Sequence, residues 1–215
     1  MYKERHDARL ISITPDAEDQ IVYMARVSNP SNQANTETSP RLIKYLIKHK
    51  HWSPFEMASM QVEINTTRAV AAQILRHRSF SFQEFSQRYS SVAELEPMGL
   101  PHLRTQDAKN KQASHDNLSP ELKQRYDRYI KELYDGAQDL YHNMLANGVA
   151  KECARSILPL GTPTRLYMSG TIRSFLHYVQ IRAGEETQLE HRWIANYIKS
   201  IMEKELPNVC EAAFN

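Results

Sequence analysis

Apolar and polar positions alternate with two distinct periods along this chain, and the switches between them predict its elements. Residues 8–14 (ARLISIT) read as a first strand, ended by Pro15. Asp16 is placed to cap a helix over 16–27, with Ile21, Val22, Met24 and Ala25 as its apolar positions. The polar run 28–40 (SNPSNQANTETSP) is a loop by composition. Ser39-Pro40 then opens a helix carrying Leu42, Ile43, Leu46 and Ile47 on one side. Pro54 in HWSPFE (51–56) disfavours helix at Ser53, so the chain breaks there. Residues 57–67 alternate as a strand, with Met60, Val62 and Ile64 on one face. Thr66 or Thr67 can cap the helix RAVAAQILRH that follows.

Beyond residue 90 the strand period gives way to helices. The stretch 91–117 is polar and long for a loop, the type of segment that is usually functional or disordered. Ser119-Pro120-Glu121 starts a helix on which Leu122, Tyr126, Ile130, Leu133, Ala137, Leu140 and Met144 keep helical spacing up to Asn147-Gly148. A short helix over 149–158 stops at Pro159, 162–170 is extended, and two more helices cover 171–183 and 187–206. Helices outnumber strands without regular β-α-β order. The fold class expected is therefore α+β, a single domain over 1–215 with one small central sheet and helices packed around it.

Composition narrows the function classes. The chain has 215 residues, of which 24% are charged and 41% hydrophobic, an ordinary globular balance. Mean hydropathy is negative, and no apolar run approaches the roughly 20 residues of a spanning helix, so a membrane partner is not expected. The charged N-terminus lacks the apolar centre of a signal peptide. Two cysteines, Cys153 and Cys210, lack CxxC spacing, which suits a reducing cytoplasm and leaves no case for a zinc site. Histidine spacing shows no HExxH, so no metal is expected. Cys153 lies among apolar positions of a short helix, where a cysteine is more often a small core residue than a nucleophile. Scattered glycines, six in all, rule out GxGxxG and the P-loop, so any bound nucleotide is held by side chains.

A formal net charge of +2 means that cationic chemistry must be local. It is concentrated in RHRSFSFQEFSQRYS (76–90). Adjacent arginines repel unless anions offset them, and their planar donor forks suit phosphate. Read as a strand, the segment puts Glu84, Ser86 and Arg88 on one polar face, with Phe85, Gln87 and Tyr89 on the other. Read as a helix, Glu84 and Arg88 form an i,i+4 ion pair on a solvated surface. Phe80, Phe82 and Phe85 are most simply packing residues. A second cationic set comprises Lys151, Arg155, Arg165, Arg173 and Arg182. Arg182 falls on the apolar stripe of Phe175 and Val179, so it either faces inward to a fixed partner or caps its helix. Two function classes compete on these residues. One is an enzyme acting on a phosphorylated small molecule. The other is a single-stranded nucleic-acid module that stacks bases on the rings, which the mild net charge and Glu84 within the patch disfavour.

The run RHR, two residues, Ser81, four residues, Ser86, one residue, then Arg88-Tyr89 resembles the signature of the flavin-dependent thymidylate synthases. ARVSNP (25–30), HWSPFE (51–56), GVAKECARSILP (148–159) and IRSFLHYVQIRAGEETQLE (172–190) are similar in order, so the resemblance covers about residues 8–205. It implies a homotetramer that converts dUMP to dTMP with methylenetetrahydrofolate as carbon donor and NADPH reducing through FAD. It implies FAD contacts from Ser28, Ser53, Glu56, Arg76, His77, Arg78, Gln83, Glu84 and Arg173. Gln73, Glu84, Ser86, Arg88, Arg155 and Arg182 would surround the nucleotide. Arg182 would stabilise charge on the uracil and Ser86 would position it, while Cys153 has no covalent task. Gln83, Met57, Thr171 and Glu186 differ from the residues usual in the family; an acid at Glu186 beside a flavin would disfavour its reduced anion.

Overall fold

The computed structural model describes residues 3–97 and 99–214. Its centre is a four-stranded antiparallel sheet in the order β1-β2-β6-β3, built from β1 (Asp7–Ile13), β2 (Ser59–Thr67), β3 (Ser81–Glu84) and β6 (Pro163–Thr171). Two further two-residue strands, β4 (Thr105–Gln106) and β5 (Ser114–His115), pair with each other, and a one-turn 3-10 helix occupies Val92–Glu94. Eight helices surround the sheet among the described residues. They are α1 (Ala17–Ala25), α2 (Ser39–Lys48), α3 (Arg68–Ile74), α4 (Pro120–Ala146), α5 (Lys151–Ala154), α6 (Ile172–Arg182), α7 (Leu189–Glu205) and α8 (Pro207–Phe214). The expected α+β class is what the chain adopts.

The alternation in β2 divides the sheet. Met60, Val62 and Ile64 are fully buried and meet Leu166 and Met168 of β6, with Ile172, Phe175 and Val179 of α6 and Ile194 and Ile198 of α7 in the same core. The opposite face is polar. There Glu63, only 2% exposed, accepts hydrogen bonds from Arg9 Nη2 at 2.9 Å and Tyr167 Oη at 2.9 Å, with Arg165 3.7 Å away. Burial alone would raise this carboxyl, but the bonds from Arg9 and Tyr167 keep it below its ordinary range. Phe80 can lie across β6 because position 170 is glycine: a Cβ there would sit 2.4 Å from the ring.

Several local expectations change. Asp16 adopts a left-handed conformation (φ 48°) and makes no side-chain cap, so the turn after Pro15 starts α1. Thr67 precedes α3 without a side-chain cap, because the backbone amides of Arg68 and Ala69 bond Thr162 and Leu160 carbonyls instead. Ser119 does cap α4, and Gly148 (φ 81°) follows its end. The apolar stripe of α4 is uncovered: Leu122, Leu133 and Leu140 are exposed, and Tyr141 is the buried residue of that helix. Cys153 is exposed, contrary to its reading as core, since α5 is one turn long and turns that side chain outward; Cys210 is buried.

Candidate active site

The segment RHRSFSFQEFSQRYS (76–90) is neither a full strand nor a helix. It is extended only over Ser81–Glu84, pairing with Leu166–Ser169 of β6, and Phe85 N–H adds one more bond to Arg165 O. From Ser86 the chain turns, its carbonyl accepting from both Tyr89 and Ser90 amides. The single polar face expected for Glu84, Ser86 and Arg88 is therefore broken after Glu84, and the Glu84–Arg88 pair does not form. Glu84 instead accepts from Arg68 Nη1 of α3 and from Thr164 Oγ1 at 2.9 Å, while Arg88 meets Glu152 at 3.2 Å. Ser86 and Arg88 are exposed, and so is Gln83, opposite Tyr167 on the polar sheet face.

The turn between α3 and β3 carries Arg76, His77 and Arg78. Arg76 and Arg78 are exposed and have no acidic partner among the described residues, while His77 is turned inward. Arg182 Nε donates to His77 Nε2 at 3.0 Å, so the arginine at the end of α6 faces a fixed partner rather than capping its helix. The bond requires His77 to be unprotonated at Nε2, and burial, then the Arg182 charge, push its imidazole down to about 4. His77 also packs edge-on against Tyr178 and His191.

Beside this turn a cavity of about 420 Å³ is lined by Trp52, Glu56, Ser79, Arg173, Ser174, Leu176, His177 and Gln180. Glu56 joins its two sides: Arg173 Nη1 donates to it at 2.6 Å and Thr171 Oγ1 at 2.9 Å. Thr171 thereby has two tasks, since its hydroxyl also accepts the Ser174 amide as the cap of α6. Ser53 lies in the 3-10 turn that carries Glu56. Ser28 lines a different cavity, of about 510 Å³, together with Arg26, Arg41 and Tyr45. Arg155 sits in a 3-10 turn after α5, with no acidic partner among the described residues. Glu186 is exposed between α6 and α7, and Met57 is exposed beside Glu56. The site thus gathers phosphate-type donors on a turn, an aromatic-edged cavity and an inward guanidinium.

The family model described as "Thymidylate synthase complementing protein" matches residues 9–208. A "Probable flavin-dependent thymidylate synthase" of Paramecium bursaria Chlorella virus 1 is 50% identical, the match covering 95% of this chain and 97% of that protein. The chain belongs to the flavin-dependent thymidylate synthases. The family's protein from a Synechocystis strain is 46% identical over 96% of this chain and 98% of its own. Among solved structures, a "UMP/dUMP methylase PolB" from Streptomyces cacaoi bound with 5-Br dUMP superposes with a TM-score of 0.84 at 26% identity, covering 98% of this chain and 95% of that one.

Against that family, the residues that the motif could not reveal are partners contributed from afar. Arg68 and Thr164 hold Glu84 from α3 and β6, and no local spacing announces them. Tyr178 and His191, both buried, stand behind Gln73 and His77. His191 on α7 offered one sequence signal: it lies at the start of a predicted helix on the same face as Ile194, Ala195 and Ile198, an apolar stripe where a histidine needs hydrogen-bond partners. No helix among the described residues is long and apolar enough to cross a membrane, and no metal-ligating cluster occurs among them.

Proposed function

We propose that this chain catalyses the reductive methylation of dUMP to dTMP, with FAD as bound flavin, NADPH as reductant and methylenetetrahydrofolate as carbon donor, in the cytoplasm. The observation that carries the reading is Arg182: a guanidinium directed inward onto neutral His77, in a chain whose relatives are flavin-dependent thymidylate synthases. The neighbour named as a UMP/dUMP methylase and bound with 5-Br dUMP supports a uridine monophosphate as substrate.

The donor set suits FAD. Arg76 and Arg78 are exposed cations without acidic partners among the described residues, as a pyrophosphate requires. The cavity bounded by Trp52, Glu56 and Arg173 supplies one aromatic edge and a fixed charged pair for a flat polar ring. Arg76, Arg78 and Arg173, with Ser53, Glu56, His77, Gln83 and Ser28, are the residues proposed to hold the cofactor. When bound, the flavin supplies the redox chemistry of the reaction.

The chain's own residues bind and polarise the nucleotide. Arg88 and Arg155 offer planar donor forks to its phosphate, and Ser86 a hydroxyl. Glu84, anchored by Arg68 and Thr164, holds its carboxylate at a fixed place on the strand edge. Arg182 donates Nε–H to His77 and leaves its Nη groups for the base, where fixed positive charge stabilises negative charge developing on the ring. Because His77, held down to about 4, is too weak a base to take that proton, the positive charge stays on the guanidinium. A homotetramer is proposed, supported by the uncovered stripe of Leu122, Leu133 and Leu140 on α4, apolar surface of the kind a partner chain covers.

The test is a binding experiment. The flavin absorbance of the purified protein is recorded, after FAD addition where needed, and dUMP is then titrated. Micromolar dUMP affinity that Arg182→Ala weakens by about tenfold or more, the weight of a charged hydrogen bond, is expected. A protein that binds neither flavin nor dUMP would overturn the proposal, and tight salt-sensitive binding of a single-stranded oligonucleotide instead would favour the nucleic-acid module.

A further inference from the structure

Behind the nucleotide residues runs a chain of hydrogen bonds whose direction is fixed from one end. Arg104, from the polar stretch before α4, donates Nη1–H and Nη2–H to the Glu190 carboxylate at 2.6 and 3.0 Å, and both side chains are largely buried. Glu190 is an acceptor; burial would raise its carboxyl, but bonds from Arg104 and Gln188 hold it below its ordinary range. Gln188 must therefore turn Nε2 to Glu190 (2.9 Å), which leaves Oε1 facing Gln73. Gln73 in turn must present Nε2 to Gln188 (2.5 Å) and Oε1 to His191 Nδ1 (3.4 Å). That assignment puts the imidazole proton on Nδ1 and leaves Nε2 to accept from Tyr178 Oη at 3.1 Å. Each link of the chain then pairs one donor with one acceptor. Turning any one amide over sets oxygen against oxygen, or nitrogen against a protonated nitrogen.

We propose that His191, acting with Gln188 and the Arg104–Glu190 pair, is a positioning residue of the nucleotide site that locks the Gln73 amide in one orientation, so that its second Nε2–H faces the substrate. The inference rests on the reading of Gln73 as a residue bordering the nucleotide. His191 is fully buried and does not reach solvent, so its contribution passes through Gln73. Burial, then the Arg182 and His77 neighbours, push its imidazole down to about 3, which keeps it neutral at working pH, while the bonds to Gln73 and Tyr178 set its tautomer. A nucleoside monophosphate offers mainly acceptors, phosphate and carbonyl oxygens among them; a flipped Gln73 would set its carbonyl oxygen against them.

The experiment measures dUMP affinity of the flavin-loaded protein for Gln73→Ala, His191→Leu, His191→Asn and the double variant Gln73→Ala/His191→Leu, with thermal stability recorded for each. His191→Leu is expected to weaken dUMP about tenfold, the weight of one well-placed hydrogen bond. His191→Asn, whose amide nitrogen can stand in for Nδ1–H, is expected to restore most of that affinity. In the Gln73→Ala background His191→Leu should add nothing. Gln188→Ala, at an exposed position, should weaken dUMP several-fold by freeing the amide and serves should His191→Leu fail to fold. Unchanged affinity in Gln73→Ala would overturn the placement of Gln73 in the site. A loss in Gln73→Ala, with wild-type affinity in both His191→Leu and Gln188→Ala, would overturn the positioning role alone. An equal loss from His191→Leu with or without Gln73 would also overturn it, showing a structural effect.

Discussion

Lowering the pH from 7 to 5 should destabilise this protein through two histidines that it keeps neutral. His191 and His77 both have depressed values when folded, about 3 and about 4. A histidine in the unfolded chain titrates near 6.5, so the unfolded state binds more protons throughout the window between. Stability is therefore full above about pH 7, falls as the pH drops through 6.5, and stops falling on this account only near pH 4 and 3. Between pH 7 and 5 each such group costs about 2 kcal/mol by proton linkage, a figure that hardly depends on how far the folded value lies below 5. His191 is fully buried and should deliver its whole share. His77 is only half-buried, and solvent screening reduces its share, giving a total of roughly 2–4 kcal/mol. Glu63 and Glu190, held low in the folded state, lose their contribution only below the carboxylate range and leave this window clear. The assay is urea unfolding followed by tryptophan fluorescence at fixed protein concentration, at pH 7 and pH 5, for the wild type and His191→Asn. The variant should lose about 2 kcal/mol less than the wild type between the two pH values. Equal losses in both proteins, or a wild-type stability flat from pH 7 to 5, would refute the reasoning.

Three other outcomes are expected. Gly170→Ala puts a Cβ against the Phe80 ring and should cost about 1–3 kcal/mol, read as a lower thermal midpoint, because the ring must leave its place in the core. Glu63→Leu removes the anion that Arg9, Arg165 and Tyr167 share; because those partners reach water, a loss of only about 1 kcal/mol in urea unfolding is expected. Arg182→Lys keeps the charge but loses the fork that serves His77 and the base together, so kcat for dTMP formation should fall at least about tenfold while flavin content is unchanged.

Strands β1, β2 and β6 were legible because the period-two pattern coincides with burial, whereas β3 was left open between strand and helix, and β4 and β5 fall in the stretch read as a loop. Met60, Val62 and Ile64 were assigned to one face from spacing, and all three are fully buried. The placement of Arg182 was half legible: an arginine on an apolar stripe is costly without a partner, but spacing left an inward partner and a helix cap equally open. The partner itself was not legible. His77 lies 105 residues before Arg182 and meets it only through the packing of α3 and α6 on one sheet. The same limit applies to Glu84, where a local i,i+4 geometry offered Arg88 and the fold supplies Arg68 and Thr164. Cys153 misled because a one-turn helix has no stable buried face, so neighbouring apolar residues said little about its exposure. On α4 the regular stripe predicted a helix correctly, but periodicity does not say whether the chain itself or another molecule covers it.

The central claim is tested most directly by product analysis of a single reaction mixture. Purified protein with dUMP, methylenetetrahydrofolate, NADPH and FAD is incubated anaerobically, and the nucleotides are separated. The account predicts dTMP that accumulates beyond one turnover, disappears when FAD is withheld from flavin-stripped protein, and is lost in Arg182→Ala. No dTMP from flavin-loaded protein that binds dUMP, or dTMP formed equally well without flavin, would contradict it.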